Sequence, residues 1–194
     1  MKFADENKAL HLLENISYYR LSGYWYPLLA NKKNHTFKTD ATFEAASNPF
    51  PPSFILLETT SFGALSRLYD ILKSGKDKKD VAKSFGLPDK VFASWLHSLV
   101  YIRNLCAHHA RLWNRQVGIK PLYPKHTHNA WINTNDVSNR RLYYVLSMII
   151  YLLNTVNPNH TFNQKLENLF QKHKNVDRNA MGFPQNWHTE PLWK

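Results

Sequence analysis

The chain holds one cysteine, Cys106, in 194 residues. No intrachain disulfide can form, and a cysteine-rich zinc module is excluded. Glycine is also scarce, with six, which argues against an all-β fold built on many tight turns and against glycine-rich nucleotide loops. Long apolar runs are missing. The most apolar, Leu142–Leu153, has 12 residues, short of the roughly 20 that a bilayer-spanning helix needs. The opening MKFADENKALHLLENI carries acidic residues where a secretory signal would be basic, and it lacks a long apolar segment. The expectation is a soluble, cytoplasmic chain with no membrane partner, large enough to bury a core without disulfides or a structural metal.

Acid is the next thing in short supply. Lys plus Arg number 25 against 14 Asp plus Glu, a formal charge of +11. Such an excess favours polyanions, either nucleic acid or an anionic membrane surface. No segment reads as a helix that is basic and amphipathic along its length, which disfavours the membrane. Between Asp89 and Asp136 there is no acidic residue at all. That window holds Lys90, Arg103, Arg111, Arg115, Lys120 and Lys125, with His97, His108, His109, His126 and His128. The expected partner is negative and approaches here.

What is present reads as helix. Apolar positions recur at steps of three and four almost throughout, with no repeat and no convincing strand, so the fold class is all-α. The spacing predicts a first helix over Ala9–Ile16 and an aromatic stretch at 18–29. The three prolines of 47–52 form a breaker, and a helix follows from about Ser53 to Leu72. Lys73–Lys79 reads as a charged turn and Asp80–Phe85 as a short helix. Gly86-Leu87-Pro88-Asp89 reads as the start of a long helix running over about 88–114. Residues 116–135 read as a long loop. An apolar helix from Asp136 or Ser138 to about Asn154 follows, then a last helix from Thr161 or Asn163 to Lys174. The tail over 181–193 is irregular, with two tryptophans docked on the body. The aromatics of YYRLSGYWY read as core rather than as base-stacking platforms.

At about 100° per residue, the long helix separates two sets of side chains. Trp95, Leu99, Ile102, Cys106, His109 and Trp113 form one seam, so Cys106 and His109 are expected in the core. His97, Tyr101, Asn104, His108, Arg111 and Arg115 lie on the polar face. Arg103 lies roughly 140° from His108 on an ideal helix. If both act on one phosphate, either the helix distorts or a second copy supplies part of the site, as a symmetric dimer would. Cys106, His108 and His109 point to different faces and do not make a metal site. His126 and His128 read as solvated.

YIRNLCAHHARLWNR (101–115) resembles the Arg-Asn-x3-His motif of the HEPN superfamily, metal-independent ribonucleases of antiviral and toxin systems. Within it, the chain resembles the Abi-like (abortive infection, AbiD/AbiF type) family through ISYYRLSGYWYPLL (16–29), LLETTSFGALSRLYDIL (56–72), MGFP (181–184) and PLW (191–193). The resemblance implies a single HEPN-like helical-bundle domain over 1–194, with an N-terminal lobe over 1–50 and the core over 53–194. Relatives carry a long helical stretch where only Lys38–Phe54 joins two of these blocks. It further implies catalysis by Arg103, Asn104 and His108 without cofactor or metal. RNA contacts would fall to Arg111, Arg115, His97, Tyr101, Lys120 and Lys125. The implied partners are RNA, including a regulatory non-coding RNA, and a second copy paired through the motif helix. The alternative is a catalytically inactive RNA-binding module in a defence or toxin–antitoxin complex.

Overall fold

The computed structural model describes Leu57, residues 60–133 and residues 135–194. The chain packs as two compact units, Met1–Lys73 and Ser74–Lys194. The expected first helix, the aromatic stretch at 18–29 and the proline breaker lie outside the described residues. Among the described residues the regular elements are helices: α1 (Phe62–Ile71), α2 (Lys76–Ser84), α3 (Asp89–Ala107), α4 (Leu142–Val156), α5 (Phe162–Lys172) and two 3-10 turns, Asn179–Met181 and Trp187–Thr189. The all-α expectation holds, and no described helix is long and apolar enough to cross a membrane.

In the first unit, α1 begins later than its periodicity predicts. Ser61 has an extended backbone and its Oγ accepts the Ala64 N–H at 3.2 Å, capping the helix there and separating it from the residues before. In the second unit α2 begins earlier, inside the charged run read as a turn. Asp77 in its first turn and Lys83 in its last suit the helix dipole, and Ala82 is the residue it buries. Gly86, read as a helix start, ends α2 instead. It takes φ +66, the Gly86 N–H bonds to Lys83 O and the Leu87 N–H to Ala82 O, the paired bonds of a Schellman motif. Pro88 then caps α3.

α4 is the core of this unit. Eight of its residues are buried, with Tyr143, Tyr144, Val145, Met148, Ile150 and Tyr151 wholly so. Two aromatic groups cover its buried residues. Trp95 from α3 and Trp131 meet Tyr144 and Tyr151, with the Trp95 and Trp131 rings 4.8 Å apart. From the tail, Phe183 and Trp193 meet Tyr143 at 4.8 and 5.6 Å, while Phe183 also packs on Phe170 of α5. The two tail tryptophans are buried, as the sequence implies. Burial pushes the phenols of Tyr143, Tyr144 and Tyr151 above their usual range.

The long loop after α3 is irregular but tied down at many points. Ser98 Oγ donates to Ile119 O, and Ser94 Oγ accepts the Leu122 N–H. Leu122 O accepts both Trp95 Nε1 and Tyr144 Oη at 2.9 Å. The His128 N–H reaches Gly86 O at 3.1 Å, where Tyr151 Oη also donates. The loop therefore runs back along the whole of α3, from its C-terminal end to its N-terminal end. α4 starts at Leu142, later than predicted, because the preceding residues bond elsewhere: Val137 O accepts Tyr123 Oη, and Asn139 Nδ2 donates to Pro121 O. Where α5 lacks a cap from Thr161, His160 Nδ1 accepts the Phe162 N–H while His160 Nε2 meets Asn154 Oδ1 at 2.8 Å.

Candidate active site at the end of the motif helix

The long helix does not reach Asn114. It ends at Ala107, with His108 as C-cap at φ −94, ψ 16. His109 takes φ +53; its N–H bonds to Cys106 O and the Ala110 N–H bonds back to Leu105 O at 2.9 Å. This is the same Schellman closure that ends α2, with histidine in the left-handed position that glycine usually fills. The seam arithmetic therefore fails beyond Ile102. Cys106 and His109 are exposed rather than in the core, and Trp113 is 38% exposed on the segment that follows. A left-handed residue turns the chain off the helix axis, and that turn takes Trp113 off the seam, whereas Cys106 is still helical and lies on a turn that the rest of this unit leaves exposed.

The last turn of α3 is exposed except at half-buried Leu105. Arg103, Asn104, Cys106, Ala107 and His108 are exposed, whereas Trp95, Leu96, Ser98 and Ile102 are buried. Two of the three expected catalytic residues touch: Arg103 Nη1 donates to Asn104 Oδ1 at 3.1 Å. Asn104 meets His108 through the backbone, its carbonyl accepting the His108 N–H at 3.0 Å. The Asn104 amide thus orients the Arg103 guanidinium, leaving the His108 imidazole without a hydrogen bond to a described residue. The C-terminal end of a helix carries a partial negative charge, which favours cations and repels phosphate. Arg103, and Arg111 and Arg115 just beyond the helix, are the charges that reverse that sign, and no carboxylate occurs between Asp89 and Asp136 to oppose them.

The remaining expected RNA contacts are strung out along α3. His97 and Tyr101 precede His108 on the helix, and a Cβ on Gly118 would lie 3.3 Å from Tyr101 Oη. Lys120 sits on the loop run that follows Gly118. Lys125 and His126 fall between Leu122, bonded at Ser94, and His128, bonded at Gly86. At about 1.5 Å per residue this is roughly 20 Å from the helix end, so Lys125 and His108 are not brought together. Sequence reasoning missed two residues. Asn114 takes φ +50, and its Oδ1 accepts Arg141 Nη1 at 3.3 Å. Asparagine's tolerance of left-handed backbone was a readable signal; for Arg141, 27 residues away in sequence, there was none.

With this geometry in view, the chain can be placed among known proteins. Residues 11–49 and 45–114 match the Abi-like protein family, and the two overlapping stretches together span more than half of the chain, ending with the open end of α3 and Asn114. The chain belongs to this family, which is associated with abortive infection, a phage-defence response. No curated protein and no solved structure matches it.

Proposed function

We propose that the chain is a metal-independent endoribonuclease of the HEPN type, a toxin in an abortive-infection system, working at a site built from two copies of α3. The observation that supports this most is the exposed last turn of α3, where Asn104 pre-orients Arg103 and the His108 imidazole makes no hydrogen bond to a described residue. Imidazole is the side chain that titrates near neutral pH unaided. His108 of one copy takes the ribose 2′-OH proton as the 2′-oxygen attacks phosphorus. The bond from phosphorus to the 5′-oxygen breaks, and His108 of a second copy protonates that oxygen. The products are a 2′,3′-cyclic phosphate and a 5′-hydroxyl. Arg103 stabilises the charge that grows on the phosphoryl oxygens. Arg111 and Arg115 guide the backbone, with His97, Tyr101, Lys120 and Lys125 contacting nucleotides farther along. A regulatory RNA is the expected restraint on such a toxin.

The test is RNA cleavage in excess EDTA. Wild type should cleave, His108→Ala should lose a factor of about 10² to 10⁴, and Arg103→Ala should lose a comparable factor. Both variants should keep the wild-type melting temperature, because both side chains are exposed. Cleavage that needs a divalent metal, or that ignores both substitutions, contradicts the assignment. RNA binding without cleavage by wild type points to the inactive binding module instead.

A further inference from the structure

Arg141 stands at the start of α4 but does not cap it. Its side chain turns instead to two distant segments. Nη1 donates to Asn114 Oδ1 and to Ala180 O, each at 3.3 Å. Its aliphatic stem is pressed by the tail: Gly182 takes φ +84, and a Cβ there would lie 2.5 Å from Arg141 Cβ. No other residue type fits such an approach with that backbone. A second bond runs beside the first, from the Val117 N–H to Arg140 O at 2.8 Å. The turn from Leu112 to Arg115, closed by its own 3.2 Å bond, is thus fastened to residues 140 and 141, and the tail fastens Arg141. That turn presents Arg115 directly and follows Arg111, both exposed.

We propose that Arg141 is a positioning residue for RNA, fixing the turn that carries Arg115 and follows Arg111, and that the tail over 179–183 belongs to the working site because it holds Arg141 in place. This rests on the RNA reading of the helix end. Left-handed Asn114 makes the idea separable from simple folding. Glycine at 114 accepts the left-handed backbone at no steric cost while removing the side-chain carbonyl, and introducing it in both the wild-type and Arg141→Ala backgrounds separates loss of the tie from glycine's own backbone freedom.

The experiment measures three things on wild type, Arg141→Ala, Asn114→Gly and the double variant. They are deuterium uptake over 108–116 without RNA, the Kd for a 2′-O-methyl RNA strand that cannot be cleaved, and kcat on the unmodified strand. Both single variants should raise uptake and weaken binding about five- to tenfold, the size of one lost hydrogen bond. In each, kcat should stay within about twofold. The double variant should bind no worse than Arg141→Ala, which already removes the Asn114 tie along with the bond to Ala180 O. Faster exchange with unchanged Kd would reduce Arg141 to a structural role, and effects that add would show that the two residues act separately. If wild type fails to bind the 2′-O-methyl strand, the RNA reading fails and the positioning role with it, while the exchange data still report on the tie.

Discussion

The two halves of α3 share one apolar periodicity and meet opposite surroundings. From Val91 to Ser98 its inner face is buried against the tyrosines of α4 and the returning loop, and even the Trp95 indole N–H has a partner in Leu122 O. From Arg103 to His108 the same helix is exposed on all sides except for half-buried Leu105. A hydrophobic seam records a face that could be buried; whether it is buried depends on what the rest of the chain brings to it. The first half holds the fold, and the second offers side chains free for chemistry.

The largest expected effect lies in the buried half. Trp95→Ala removes a fully buried ring, its contacts with Trp131 and Tyr151, and the bond that pins the loop at Leu122. Urea denaturation should show a loss of about 3–5 kcal/mol. Trp113→Ala, in the continuation of the same seam, should cost under about 1 kcal/mol, because its ring is already partly in water. Equal losses would mean that the seam continues past Ile102 as one packed face.

Much of this contrast could be read from the residues. The all-α class, the long motif helix, the buried Trp95 and Ile102 and the docked tail tryptophans all follow from periodicity and composition. Asn104 was expected on the face of His108, and its amide engages Arg103 instead. What escaped was set by contacts between distant segments. The start of α4 is displaced to Leu142 because Tyr123 and Pro121 take up the residues before it. Arg141 joins the site through two bonds that no local pattern encodes. The end of α3 escaped for a different reason: histidine gives little sign of a left-handed cap, and the seam ran straight through it.

That cap sets the next effect, smaller and opposite in sign. Were His109 within a helix, His109→Gly would cost about 0.5–1 kcal/mol through backbone entropy. With His109 at φ +53, glycine relieves a steric cost of about 1–2 kcal/mol against that same entropy. The expected outcome is a net gain of about 0.5 kcal/mol in thermal or urea unfolding, and a loss would restore the continuous helix.

The smallest effect on stability belongs to Cys106, and it sharpens the comparison most directly. A thiol on a packed seam would resist modification in the native state, and Cys106→Ser would leave a hydroxyl buried at a cost of about 1–3 kcal/mol. Exposed on the last turn of α3, Cys106 should tolerate serine within about 0.5 kcal/mol. In dilute native protein it should react with a disulfide reagent as fast as a free thiol does. The same reaction reads out the proposed second copy. If two motif helices pair over this end, the rate should fall as protein concentration rises into the range where light scattering reports a dimer, and Cys106 should regain its dilute rate when the pair dissociates. A rate that ignores concentration while the mass doubles would place the interface elsewhere, leaving His108 of each chain to work alone.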